Sequence, residues 1–353
     1  MNLDDLTEMK SVDEKDLAGS LRCLPESIIK AWNIGLSQNL IFQNEINHIL
    51  LCGTGSGLIA ARLLQSFLSA SCSTPVSIHD DFSFPKWVNN PKILVILISE
   101  QGDEPGLIRF LQKLHQTTCQ TVVVSTTGLL IELAKEQNKP VFTYSYSGTK
   151  RTSIGFHFFI PLAILSKAGI IQVTSDEIQF VCEQLQKTIQ SIDLEIPVAQ
   201  NPAKRMAGQF LNRWVTLFGS GIMAAVAEYW KAQINMNGKA WAQVEKIPEA
   251  CHSTVGGIYF PADQLSHMMT LFIQSGFDHP THHVISEEVR KMFMVEGFNT
   301  DFYEAPGESV LSCMWNAILY GGYISYYLAM AYDIDPSQVP GVDEMEGFIA
   351  SLD

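Results

Sequence analysis

Two short stretches carry residue types that could hold or move charge. Gly53-Thr54-Gly55-Ser56-Gly57 follows an apolar run, Glu45 to Leu51, and precedes a segment of helical periodicity, Leu58 to Ala70. A strand, a glycine turn and a helix in that order aim backbone N–H groups at whatever lies beyond the turn, which favours an anion. The same turn also serves α/β proteins as a plain tight connection. The second stretch, Ser99-Glu100-Gln101-Gly102-Asp103-Glu104, has one hydroxyl and three carboxylates. Each carboxylate close to a dianion costs roughly 1 to 4 kcal/mol, against about 1 kcal/mol from one hydroxyl hydrogen bond. A third group, His279, His282 and His283, has an H-x-x-H-H spacing that could suit zinc on a helix turn, beginning beside Pro280.

Two other cofactor classes compete for the glycine turn. A dinucleotide fingerprint needs a third glycine where Leu58 stands. A methyltransferase reading fits Cys52-Gly53-Thr54-Gly55 and Asp80 at the end of the next strand. It also needs an acidic residue just before the loop, where Leu50 and Leu51 stand. The formal charge of -14 argues against nucleic acid or an anionic membrane as partner. Seven cysteines without a C-x-x-C pair fit reduced thiols better than a disulfide framework. Residues 1–16 lack an export signal, and the most apolar run, Phe156 to Leu165, is too short to span a bilayer, so a cytoplasmic location is expected.

The positioning elements follow from period and punctuation. Leu3 to Leu21 predicts one or two peripheral helices, and Pro25 opens another over Glu26 to Ile34. Strands are predicted at Pro75 to His79, Lys92 to Ser99, Thr121 to Ser125 and Pro140 to Tyr144. Helices alternate with them at Gly106 to His115, Leu129 to Gln137 and Gly155 to Lys167. Such alternation with apolar strands gives a doubly wound parallel sheet, whose ligands sit outside the carboxyl ends of strands: Gly53 to Gly57, Ser99 to Glu104 and Ser125 to Gly128. A helix over Thr174 to Ile192 and an irregular linker, Asp193 to Lys204, end this half. The rhythm resumes with a strand at Val215 to Phe218, a small-residue turn Gly219-Ser220-Gly221 and a helix from Ile222 towards Ile234. Strands at Thr254 to Phe260, His267 to Ile273 and Asp301 to Glu304 follow, with helices at Ile285 to Glu296 and Val310 to Tyr332. The fold class is α/β with two flavodoxin-like domains, 1–195 and 205–353. Tyr323, Tyr326 and Tyr327 are expected in the core or at a subunit interface.

The order and spacing of short motifs resemble those of the bifunctional phosphoglucose/phosphomannose isomerase family, double-SIS-domain proteins, nearly end to end. The similarity is carried by Leu24-Pro25-Glu26, the Gly53 to Gly57 loop, Asp80-Asp81-Phe82, Pro85-Lys86-Trp87-Val88, Ser99 with Gly102, and Lys150-Arg151. It continues through Asn235 and Asn237 with Lys239, Pro248-Glu249-Ala250 with His252, Gly307-Glu308-Ser309 with Leu311, and Ile324-Ser325-Tyr326-Tyr327-Leu328-Ala329 with Asp335-Pro336.

The resemblance implies aldose–ketose isomerisation of a sugar phosphate through an enediol, an intramolecular oxidoreduction without cofactor or metal. It implies a homodimer in which the histidine reaches a neighbouring subunit's site. His252 matches the ring-opening histidine and Arg151 the cationic position. The family's proton-shuttling glutamate lies sixteen residues before that histidine, where this chain has Met236. Methionine has no proton to give or take. The implied substrate contacts are Gly53, Gly55, Ser56, Gly57, Ser99, Gln101, Gly102, Glu104 and Ser125. Similar proteins have Ser-x-Ser-Gly-x-Thr at 99–104, so the acids replace phosphate-binding hydroxyls. Three functions stay open: an isomerase of the family type, a silent sugar-binding or regulatory homologue, and an interaction scaffold. A moved reaction, with Glu100, Asp103 or Glu104 as base, would suit a neutral or amino-bearing sugar.

Overall fold

The computed structural model describes residues 1–81 and 83–352. Phe82, one of the residues carrying the resemblance, lies outside the described residues, as does the side chain of Lys150. Contacts divide the chain into two units, one of Cys23–Cys182 with the residues from Pro340 on, the other of Met1–Arg22 with Glu183–Val339.

The Cys23–Cys182 unit holds β1 (His48–Gly53), β2 (Val76–His79), β3 (Ile93–Ile98), β4 (Gln120–Ser125) and β5 (Val141–Thr143). They form one parallel sheet, sheet A, in the order β2-β1-β3-β4-β5. β3 is buried along its whole length, as its unbroken Ile-Leu-Val-Ile-Leu-Ile run requires of a strand covered on both faces. Val95, Leu97 and Val123 pack there with Phe110 and Leu111 of the helix Pro105–Leu114. Each such side chain stabilises the fold by roughly 1.5 to 3 kcal/mol on burial. The helix after β1 runs Gly55–Ser71 and buries Ala60, Leu63, Leu64, Phe67 and Leu68, an i, i+3/i+4 stripe. It starts inside the glycine stretch, three residues before the expected Leu58.

The second unit holds β6 (Trp214–Gly219), β7 (Ala242–Lys246), β8 (Met268–Ser275) and β9 (Asn299–Ala305). Sheet B is also parallel, in the order β7-β6-β8-β9. Its long helix, Val310–Ala331, buries Tyr323, Tyr326 and Tyr327 completely. Among the described residues no helix is long and apolar enough to cross a membrane.

Three expectations are corrected. The strand expected at Thr254 to Phe260 is a 3-10 turn, Thr254–Gly257, followed by irregular chain; Gly256-Gly257 and Pro261 interrupt any ladder, and only Ile258 is buried. The edge strand is instead β7, whose Gln243 and Glu245 hide it from a search for apolar runs. The linker ends early, because Asn201 caps a helix Pro202–Phe210, its side chain accepting from Ala203 N and Lys204 N at 3.0 Å. The first 22 residues pack within the second unit. There Leu17 and Leu21 are buried, and Asp4 pairs at 3.3 Å with Lys204, a fully buried cation that also donates to Leu194 O. A last helix, Pro340–Ala350, has no counterpart in the sequence reading.

Candidate functional site

Parallel pairing puts the carboxyl ends of β1, β3 and β4 side by side, with the strand order reversing between β1 and β3. Gly53, Gly55, Ser56, Gly57, Ser99, Gln101, Gly102, Glu104 and Ser125 therefore gather at one end of sheet A. The loops after β3 and β4 lock together there. Gly102 (φ +76°) and Gly128 (φ +89°) each lie so near the opposite loop that a Cβ would meet Thr127 O at 2.0 Å or Gln101 O at 2.2 Å. Leu130 N donates to Gly102 O at 2.8 Å, and Thr126 Oγ1 to Glu100 O at 2.5 Å.

Each acid of the loop has a separate fate. Ser99 is fully buried; its hydroxyl accepts from Gly102 N at 2.7 Å and donates to Glu104 Oε2 at 2.5 Å. Asp103 Oδ1 accepts from Leu129 N at 3.0 Å, so it satisfies an otherwise orphaned donor at the start of the helix Leu129–Glu136. Ser125 Oγ donates to Thr127 O at 3.2 Å, within its own loop. Two of the groups expected to bind an anion are thus engaged by the chain itself: the Ser99 hydroxyl with a carboxylate and the Ser125 hydroxyl with a carbonyl. Gln101 is exposed.

Glu100 points the other way, into a polar cluster that sequence reasoning missed. Its Oε2 accepts from Ser153 Oγ, lies 3.3 Å from Tyr144 Oη and 3.3 Å from His157 Nε2, and the Glu100 side chain keeps 14% exposure. Tyr144 Oη and His157 Nε2 are 2.6 Å apart. Burial holds His157 well below its ordinary value, at about 4, against the opposing backbone of Ser56 and Ser99. The ring is neutral at pH 7 despite the nearby carboxylate. Burial, then the Glu100 charge, pushes the Tyr144 phenol up. Tyr144 follows β5, while Ser153 and His157 open the helix Ile154–Lys167. Only the fold joins them to Glu100, and no local motif announces it. Arg151 is buried in the 3-10 turn Lys150–Thr152, two residues before Ser153.

Sheet B separates the residues that the resemblance pairs. Met236 is the last residue of the helix Gly221–Met236, which returns antiparallel to β6, so it lies at the amino end of the sheet. His252 follows β7 and lies exposed at the carboxyl end. A helix of that length puts about 20 Å between the two ends. Asn237 donates to Gln233 Oε1 at 2.9 Å and Ser325 Oγ at 3.0 Å. Lys239 Nζ donates to Met236 O, Asn237 O and Pro336 O at 2.7, 3.3 and 3.1 Å. This end of the run is a helix C-terminus closed by its lysine. The three histidines do not converge: His279 caps its helix by accepting from Thr281 N, and His283 Nε2 lies 3.0 Å from Ser275 O. Among the described residues no three His, Cys, Asp or Glu side chains are placed to hold a metal.

Known proteins agree with this architecture. Residues 199–347 match the family model of the bacterial phospho-glucose isomerase C-terminal SIS domain. A bifunctional phosphoglucose/phosphomannose isomerase of Caldicellulosiruptor bescii is 28% identical over 333 residues, 93% of this chain and 97% of the relative. Its counterpart from Aquifex aeolicus is 24% identical over 303 residues, 84% of this chain and 89% of the relative. A crystal structure of a hypothetical protein from Thermus thermophilus superposes with a TM-score of 0.73 at 13% identity, covering 98% of this chain and 92% of that one. Over nearly its whole length the chain resembles the bifunctional phosphoglucose/phosphomannose isomerases, and its second half matches their SIS domain.

Proposed function

We propose that this protein binds a small sugar derivative at the carboxyl end of sheet A, and that the interconversion of hexose 6-phosphates is no longer its reaction. The observation that carries this reading is the Ser99–Glu104 hydrogen bond of 2.5 Å. A phosphate taking that hydroxyl must displace a carboxylate and then stay beside it. The like-charge cost of roughly 1 to 4 kcal/mol exceeds the gain of about 1 kcal/mol from the hydroxyl. Met236 removes the carboxylate that the family's enediol route uses, and no pH restores it. The ligand that suits the loop is a neutral or amino-bearing sugar.

The second reading is the family's own, an aldose–ketose sugar-phosphate isomerase, and whole-chain similarity favours it. Under this second reading we propose a homodimer. Met236 and His252 lie at opposite ends of sheet B, so a site using both family positions takes one of them from a second copy. Sedimentation as a monomer at working concentration would contradict this.

Proton NMR of glucose, mannose and fructose 6-phosphates in heavy water separates the two readings. Enediol chemistry leaves deuterium at C1 or C2 even when net conversion is small. The expected result is no label with any of the three. Label that disappears in His252→Ala would restore the family reaction.

A further inference from the structure

The three acids after β3 differ in what holds them. Asp103 is engaged by Leu129 N–H and Glu104 by the Ser99 hydroxyl, both within the interlocked loops and both serving their geometry. Glu100 is gripped by side chains from two other elements, Tyr144 after β5 and Ser153 and His157 at the start of the helix Ile154–Lys167. All of these lie against the same oxygen, Oε2, so that atom is held in place while the side chain keeps 14% exposure. The cluster sits where the strand order reverses, and the His157 ring lies against the backbone of Ser56 in the turn after β1 and of Ser99 at the end of β3. A carboxylate held at one oxygen, beside neutral partners and with part of its side chain exposed at the carboxyl end of sheet A, has a geometry suited to general-base chemistry.

We propose that Glu100 is a catalytic base that abstracts a proton from the carbon next to the carbonyl of an open-chain neutral or amino sugar, with Tyr144, Ser153 and His157 as positioning residues. This rests on the preceding reading that sheet A binds such a sugar. In the step, the C–H bond breaks and its proton goes to a Glu100 carboxylate oxygen. The C–H electron pair becomes a C1–C2 double bond as the carbonyl π pair moves onto oxygen, giving an enediolate from a neutral sugar or a 2-amino enolate from an amino sugar. Return of the proton from the neutral Glu100 acid reverses the step, and exchange of that acid with heavy water writes deuterium into the sugar. No oxidant, metal or cofactor enters the balance.

The test uses the full-length protein with fructose and glucosamine as probes, reading the melting temperature for binding and proton NMR in heavy water for exchange. Wild type is expected to show a ligand-induced rise in melting temperature together with deuterium at C1 of fructose or C2 of glucosamine. Glu100→Gln keeps the rise and loses about 100-fold or more of the exchange rate. Glu100→Asp, which retains charge, guards against simple collapse of the fold and is expected to exchange more slowly than wild type but faster than Glu100→Gln. Tyr144→Phe and Ser153→Ala, which loosen the carboxylate, slow exchange about tenfold with the melting shift intact, a split between rate and binding that a merely structural role would not produce. Exchange undiminished in Glu100→Gln, or a sugar that binds without any exchange, would overturn the proposal. If neither sugar moves the melting temperature, the binding reading itself fails, and the assignment of Glu100 falls with it.

Discussion

Sheets A and B each begin with the same turn and finish it differently. In sheet A the residue before the helix, Thr54, has φ −131° and ψ 158°, and Gly55 follows at φ +51°. In sheet B Ser220 has φ −126° and ψ 156°, and Gly221 follows at +48°. The strand beside each turn leads to a buried serine, Ser99 just after β3 and Ser275 at the end of β8. After that serine the two diverge. In sheet B Asp278 folds back to accept from Ser275 N at 2.8 Å, and His283 lies on Ser275 O, so the polar groups close off backbone. In sheet A Glu104 closes off a hydroxyl, while Glu100 collects three side chains from distant parts of the chain. A glycine turn is therefore a property of the fold, and chemistry has to be sought in the loop after the neighbouring strand.

The largest expected effects should not distinguish the sheets. Leu97→Ala in β3 and Leu271→Ala in β8 each remove a fully buried side chain, and each should cost about 3 kcal/mol in chemical denaturation. A difference of several kcal/mol between them would show that the two cores are not equivalent. The next effect belongs to sheet A. His157 is held at about 4 against an ordinary 6.5, so the folded protein binds fewer protons than the unfolded chain in that window. Stability is full above about pH 6.5 and falls by roughly 3 kcal/mol as the pH drops towards 4. Denaturation across that range should show the slope, and His157→Gln should flatten it. The smallest effects are the caps. Asp103→Ala in the first unit and Asn201→Ala in the second should each cost about 1 kcal/mol by thermal melting, through loss of acceptors for Leu129 N and for Ala203 N and Lys204 N.

Much of the scaffold was legible because its period was strong. β3, an unbroken apolar run, and β4 lie within a residue or two of their expected bounds. What period could not reveal was polar or ambiguous: β7 with Gln243 and Glu245 on an open edge, and the Thr254–Gly257 segment, whose apolar residues do not pair. The crowding of Gly53, Ser99 and Ser125 at one end of a sheet followed from alternation alone. The Glu100 cluster did not, because Tyr144 after β5 and Ser153 and His157 at the start of a later helix meet it only in the folded chain, and nothing in their spacing encodes that meeting. The separation of Met236 from His252 was equally hidden, since sixteen residues of sequence cross a whole sheet.

Calorimetric titration of fructose 6-phosphate into wild type and Glu104→Thr tests the central claim, that the chain's own carboxylate excludes phosphate from Ser99. Wild type should bind weakly. Glu104→Thr, which frees the Ser99 hydroxyl and removes the charge, should bind about tenfold or more tighter, equivalent to about 1.4 kcal/mol. Tight binding by wild type, or an affinity unchanged by the substitution, would contradict it.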